Sequence, residues 1–352
     1  MSRTPLYNQT HKPSLPPNAN AGLHFNKFFS EWDYHWSLTE NQDDEPTPKS
    51  AWIRKFVEKQ QGNKEQLKAL HDRRSNLAKT QNGIFTYFKT QGAFITGMGN
   101  PHPIENGFTW HHTLGTPYLS GSSVKGIVKA WCEQWWMSDD SENAEQIVTC
   151  KRIFGSYKDD NKDSVGTVIF HDAIPANPVQ LKAEIMTPHY SDYYQNGTPP
   201  PGDWLSPTPI PFLAVEKEQL FHFMITPRTK QYQADTEQCF EWLKDALQFI
   251  GAGAKTSSGY GYFEEYTLAR QWIDETINAI CISNSIPDTE KYSIHFKNTL
   301  AIKWNDIDDP IFKKQAFQEI KKIWIENDKW EEVLKGSEKK AKKTYNEYLS
   351  NS

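Results

Sequence analysis

The chain has 352 residues, enough to bury a large core as one domain or two. It carries 44 acidic against 39 basic residues, a formal net charge of −5, which argues against a freestanding, non-specific nucleic-acid binder. Thirteen Trp, 15 Tyr and 19 Phe exclude disorder throughout, because disordered chains are poor in aromatics.

Residues 1–21 read as a flexible, Pro-rich arm, with no signal-peptide pattern. Leu23–Trp36 (LHFNKFFSEWDYHW) alternates aromatic and polar residues and suggests a strand or a partner-facing segment. Asn41–Ser50 is a linker by composition. A helical insertion over 51–80, interrupted near Gly62, places Arg54, Lys55, Arg73, Arg74 and Lys79 at positions expected to be exposed. Gly83–Gly97 alternates as a strand does; Gly97–Pro103 is a turn, and Thr109–His112 is extended.

Gly115–Gly126 (GTPYLSGSSVKG) follows, with Ser122 and Ser123 as N-cap candidates for a helix over Val124–Met137. Val165–His171 and Leu220–Ile225 are strands by β-branched and aromatic content, flanking a Pro/Tyr-rich insertion at 175–211. Asp235–Ile250 has helical spacing, with Phe240, Leu243, Leu247 and Ile250 on one face. A second glycine loop, Gly251–Gly261 (GAGAKTSSGYG), leads into a strand over Tyr260–Tyr266. The order is strand, helix, strand, strand, helix, strand, which predicts an α+β, ferredoxin-like (βαββαβ) core of the kind RNA-recognition folds share. Helices are expected at Ala269–Cys281, Phe312–Glu326 and Glu338–Tyr348, and the KGSEKKAKK run reads as a solvated helix face.

Both glycine loops carry hydroxyl and lysine donors suited to a polyanion. Neither is a nucleotide motif. A P-loop ending at Lys255-Thr256 would need glycines where Ala254 and Phe249 stand. A dinucleotide fingerprint would need glycine at Thr256, and it would leave a strand for a helix rather than the reverse. The first loop delivers a helix N-terminus, where unpaired N–H groups and the dipole favour phosphate. Lys125 lies in its first turn, with Lys129 one turn on.

Catalytic patterns are sparse. His111 and His112 are adjacent and point apart in a strand; His102, His171, His189 and His222 are scattered. Asp159, Asp160 and Asp163 form a polar loop that reads as solvated rather than cation-binding. Cys132, Cys150, Cys239 and Cys281 lack zinc spacing, and Cys132 and Cys239 read as buried free thiols. Within the insertion, His189, Tyr190, Tyr193 and Trp204 can either stack on unpaired bases or anchor the loop to protein.

The string GTPYLSGSSVKGIVKA resembles the turn-into-helix signature of the RAMP superfamily of CRISPR-associated proteins, and GAGAKTSSGYGYF looks like its C-terminal glycine loop. Ile153-Phe154-Gly155-Ser156, Phe170-His171-Asp172-Ala173 and the MTPHYSDYY…PGDW run narrow the resemblance to the sixth-subunit branch of type III-B Cmr modules. It covers roughly Leu23–Tyr266. It implies an RRM-derived domain over 22–266, a thumb at 175–211 and a helical extension at 267–352. The implied role is architectural: no catalytic or metal-ligating residue and no cofactor, in a cytoplasmic, non-membrane ribonucleoprotein. The implied partners are guide RNA (crRNA), target RNA and other Cmr-module subunits. RNA contacts would fall on Ser120, Gly121, Ser122, Ser123, Lys125, Lys129, Lys151, Arg152, His189, Tyr190, Tyr193, Lys255, Thr256 and Ser257. Family helices often carry Arg where Lys129 stands, and lysine offers a point charge rather than a fork. The competing expectation is a metal-independent RAMP endoribonuclease that processes guide RNA through His24, His189 and Tyr190.

Overall fold

A computed structural model describes the chain except residues 1–2, 9–13, 17–18, 39–46, 138–143, 156–163, 205–206, 208, 332–333 and 352. The acidic loop with Asp159, Asp160 and Asp163, and most of the 41–50 linker, lie outside the described residues. The chain divides into two compact units, Met1–Glu265 and Tyr266–Ser352.

The first unit begins with α1 (Ala21–Lys27), α2 (Pro48–Val57) and α3 (Lys64–Gln81), followed by β1 (Ile84–Thr90). The Leu23–Trp36 segment, expected to be a strand or a partner-facing segment, is therefore a helix in its first part. Asn20 caps it by accepting from Leu23 N at 2.9 Å, and Ala21, His24 and Phe25 form its buried face. This i, i+3, i+4 stripe was masked by the local alternation of aromatic and polar residues. A short hairpin, β2 (Pro101–His102) and β3 (Glu105–Asn106), precedes α4 (Gly121–Trp131), which runs on as a π-helical turn over Cys132–Trp136. After α5 (Ala144–Phe154) come β4 (Val168–Phe170), β5 (Ile174–Pro175), β6 (Leu181–Met186), α6 (Ser191–Asn196), β7 (Ile210–Val215) and β8 (Leu220–Pro227). The unit closes with α7 (Gln233–Asp245) and β9 (Phe263–Tyr266).

The main sheet has the order β4–β8–β1–β9, with β5 also on β8. Strand β8 runs antiparallel to β1 (Ile84 opposite Ile225) and to β4 (Val168 opposite Pro227). One sheet face, with Phe88, Phe221, Phe223 and Phe263, packs with Val124 and Val128 of α4 and Trp242 and Leu243 of α7. Each such side chain, fully buried, contributes roughly 1.5–3 kcal/mol. Helix α3 covers β1 and β8 from the other side, setting His71 edge-on to His222 at 5.0 Å. Both faces of β8 are thus enclosed, and all of its residues after Leu220 are buried. Arg74, expected at the surface, is buried for the same reason and donates to the backbone oxygen of Asp172.

Cys132 and Cys150 are joined as a disulfide between the π-helical turn and α5, correcting the expectation of a free thiol at Cys132. No spacing rule reveals a pair 18 residues apart on two neighbouring helices. Cys239 and Cys281 are buried free thiols.

The second unit is helical: α8 (Leu268–Asn284), α9 (Asp288–Lys291), α10 (Asn298–Asn305), α11 (Pro310–Glu326) and α12 (Gly336–Asn351). Its core gathers Ile273, Ile277, Leu300, Trp304, Phe317, Trp324 and Tyr345. The buried indoles donate to backbone, Trp304 to Lys313 O and Trp324 to His295 O, each at 3.0 Å. In α12, Ala341 and Tyr345 face inward while Lys339, Lys340 and Lys343 are exposed. Among the described residues no helix is long and apolar enough to cross a membrane.

Candidate nucleic-acid interface

The first glycine loop ends at a capped helix whose cap is Ser120, two residues ahead of the expected position. Its Oγ accepts from Ser123 N, so Ser122 and Ser123 lie inside the first turn. Gly121 N donates to Asp172 Oδ1 at 2.6 Å. A side chain at Gly121 would meet Phe170 O at 2.4 Å, which explains the glycine. The Phe170–Ala173 segment therefore brings a carboxylate onto the N-terminus of α4, where a phosphate was expected.

The basic residues of this region have partners within the chain. Lys125 Nζ donates to Phe154 O at 2.7 Å, and burial, then Lys129 and Arg228, lower its pKa. Lys129 pairs with Glu133 at 3.5 Å. Arg152 grips Asp235 with Nη2 to Oδ1 at 2.8 Å and Nε to Oδ2 at 3.1 Å, while Thr167 Oγ1 donates to Oδ2 at 2.8 Å. This pairing raises the Arg152 pKa further. Lys151 is half-buried in the last turn of α5.

The second loop differs. Gly251, Gly253, Gly259 and Gly261 all have positive φ, as does Lys255 at 59°. Around them the side chains of Lys255, Thr256 and Ser257 make no hydrogen bond or ion pair among the described residues. The loop is held by its backbone to the segment after β1: Gly261 N donates to Ala93 O at 2.8 Å and Ala254 N to Ile95 O at 2.9 Å.

That same segment fastens two other elements. Thr96 Oγ1 donates to Tyr118 O of the first loop at 3.0 Å. Phe94 exchanges two backbone bonds with Val215 at the base of the β6–β7 hairpin, at 3.0 and 2.8 Å. Ala93, Ile95, Phe212 and Ala214 form a small core closed by Met186, Ala254 and Tyr260. Residues 93–97 thus tie together both glycine loops and the hairpin of the 175–211 insertion. Within that insertion β6 and β7 pair from Leu181 opposite Val215 to Met186 opposite Ile210. Beyond them His189 and Tyr193 are exposed and Tyr190 is half-buried, with Tyr194 and Trp204 more than three-quarters exposed.

Histidine chemistry is dispersed. His24 is buried against Trp52 at 5.3 Å, and burial drops its pKa to about 4. His189 stands exposed on another element, so these two are not brought together. Among the described residues no group of three or more His, Cys, Asp or Glu could hold a metal ion. Sequence reasoning gives Asp172 and Thr96 no role and places Arg74 at the surface. Only Asp172 had a signal, in the Phe170-His171-Asp172-Ala173 string.

A family model for the RAMP superfamily matches residues 87–264, just over half of the chain, and the chain belongs to that superfamily. It is 31% identical over 277 residues to the CRISPR system Cmr subunit Cmr6 of Pyrococcus furiosus, covering 64% of this chain and 81% of that protein. It is 26% identical over 165 residues to the CMR subunit Cmr6 of Saccharolobus solfataricus, covering 46% and 49%. Among solved structures, a chain of the type III-B Cmr-beta complex bound to cognate target RNA matches with a TM-score of 0.48 and 20% identity, covering 66% of this chain and 79% of that one.

Proposed function

We propose that this chain is the Cmr6-type subunit of a type III-B CRISPR ribonucleoprotein, an architectural protein that holds the 3′ side of the guide RNA near the end of the backbone filament and does not cut it. The observation that carries this reading is the convergence of both glycine loops and the hairpin arm on residues 93–97. Three elements far apart in sequence are fastened to one short segment, and they carry unengaged donors and exposed aromatics. The β4–β8–β1–β9 order, with α4 following β1 and α7 following β8, is what a split βαβ repeat produces and supports a ferredoxin-like core. The exposed tip at 187–204 acts as the thumb, stacking Tyr193 or Trp204 beside the guide–target duplex.

In this reading RNA phosphates fall first on Lys255, Thr256 and Ser257, whose side chains are unengaged. Lys125 and Arg152 hold α5 and α7 in place, and contact with RNA there would require them to exchange partners. We assign 1–21 as an arm, 22–266 as the RNA-binding domain and 267–352 as a helical extension. The partners are guide RNA, target RNA and neighbouring Cmr-module subunits in the cytoplasm. The endoribonuclease reading gains nothing from His24, which is enclosed by aromatics.

The test is expression of the chain alone and with its operon neighbours. The expected product is a stoichiometric complex carrying intact guide RNA. Lys255→Ala should weaken RNA binding and flatten its salt dependence by about 0.7 in log–log slope, one single-strand phosphate contact. Metal-independent cutting by the isolated chain, lost in His189→Ala, would contradict the proposal.

A further inference from the structure

Upstream of the first glycine loop a cleft of about 330 Å³ opens between α1 and the β2 edge, at the lower end of the size range of ligand pockets. Leu23, Asn26 and Lys27 line one side, at the i, i+3, i+4 spacing that puts them on one helix face. Pro101, Trp110 and His112 line the other. The side chains of Asn26, Lys27 and His112 make no hydrogen bond or ion pair among the described residues. Among the described residues no carboxylate lines the cleft, although the chain as a whole carries more acid than base.

Its walls are fastened. Asn20 accepts from Leu23 N at 2.9 Å and donates through Nδ2 to His112 O at 2.6 Å, so one side chain sets both sides. His102 Nε2 lies 2.9 Å from Phe25 O, tying β2 to α1. Gly22 lets α1 approach Trp110: a Cβ there would stand 2.4 Å from Trp110 Cβ. The buried Trp110 Nε1 has no hydrogen-bond partner among the described residues. Trp110 also bridges to Pro117, joining the cleft to the first glycine loop.

We infer that this cleft receives one unpaired nucleotide of the bound RNA. The base lies against Leu23 and Pro101, Asn26 meets its polar edge, and Lys27 and His112 face its phosphate. A cleft of mixed walls, with Leu23, Pro101 and Trp110 beside one amide and two nitrogen-bearing side chains, suits a flat heterocycle carrying an anion, and prior fastening of the walls lowers the ordering cost of binding. The inference rests on the RNA-binding reading above and adds a site outside the loops and the arm.

The test is photocrosslinking of the full chain with a single-stranded RNA carrying thiouridine, with attachment sites mapped by mass spectrometry. Crosslinks are expected in residues 21–27 or 101–112 as well as in 251–261. Lys27→Ala with His112→Ala, both surface changes, should lower the cleft crosslinks about fivefold or more and leave those at 251–261 in place. Crosslinks confined to 251–261 and the arm, with RNA affinity intact, would overturn the cleft and leave the RNA-binding reading standing. Protection of the cleft by a neighbouring subunit without any RNA crosslink would also overturn it. Loss of all RNA binding would overturn both.

Discussion

Gly261→Ala is expected to destabilise the first unit by about 3 kcal/mol or more and to abolish the second glycine loop. Two effects add. Gly261 has φ +76°, where an L side chain is strained by roughly 1–3 kcal/mol. A Cβ there would stand 1.9 Å from Ala252 O, a backbone atom that cannot swing aside, and overpacking of this kind costs a further 1–3 kcal/mol or so. Ala252 N donates to Gly261 O at 2.7 Å, so relief of the clash would break the bond that closes the loop. The matched controls separate strain from contact. Gly259 has φ +88° with open space around its Cβ position, so Gly259→Ala should cost only about 1 kcal/mol. Gly126 is helical and equally open, and Gly126→Ala should be neutral or stabilising by up to about 1 kcal/mol. Thermal unfolding of the three variants reads the order directly. Equal melting of Gly261→Ala and Gly126→Ala would refute this view of the loop.

Acid should destabilise the fold well before its carboxylates protonate. His24, His71, His102, His111, His171 and His222 of the first unit all have lowered pKa values, with burial the leading cause in each. His24 and His171 are held at about 4. The buried Arg74 guanidinium lowers His171 and His222 further. In the unfolded chain these rings titrate near about 6.5. Between that value and the folded one the unfolded state binds more protons, so the stability they confer is complete above about pH 6.5 and is lost as pH falls toward 4. Each titrating ring adds at most about 1.4 kcal/mol per pH unit to the slope, and less where it is partly exposed to solvent. Urea midpoints measured from pH 7 to pH 4.5 should fall steeply, and His222→Phe should reduce the slope. A flat profile across that window would contradict the burial of these rings.

Much of the core was legible because it depends on local pattern. Strand β1, the helix after the first loop, α7 and β9 each announce themselves by apolar spacing and flanking glycines. What escaped was set by contacts between distant residues. Helix α3 covers the second sheet face, and that alone turns Arg74 from a surface cation into a buried one; nothing in its own neighbourhood says so. Asp172 became a partner of Gly121 only when the chain folded back by 51 residues. The 93–97 segment has an ordinary strand-like sequence, and its role is the sum of bonds to Tyr118, Val215, Ala254 and Gly261. Lys125 reads as a phosphate donor from its place in the first turn of a helix, and Arg152 from the resemblance, whereas the folded chain gives each an internal acceptor. The glycine loop itself suggests Lys255, Thr256 and Ser257 as donors for an anion, and that no other described side chain engages them is set by the fold.

Hydrogen exchange of the full chain with and without a single-stranded RNA tests whether 93–97 organises one RNA surface. Protection is expected to appear together in 115–126, 187–204 and 251–261, with the same dependence on RNA concentration. Protection of one of these segments without the other two, or at separate concentrations, would contradict a single interface built on residues 93–97.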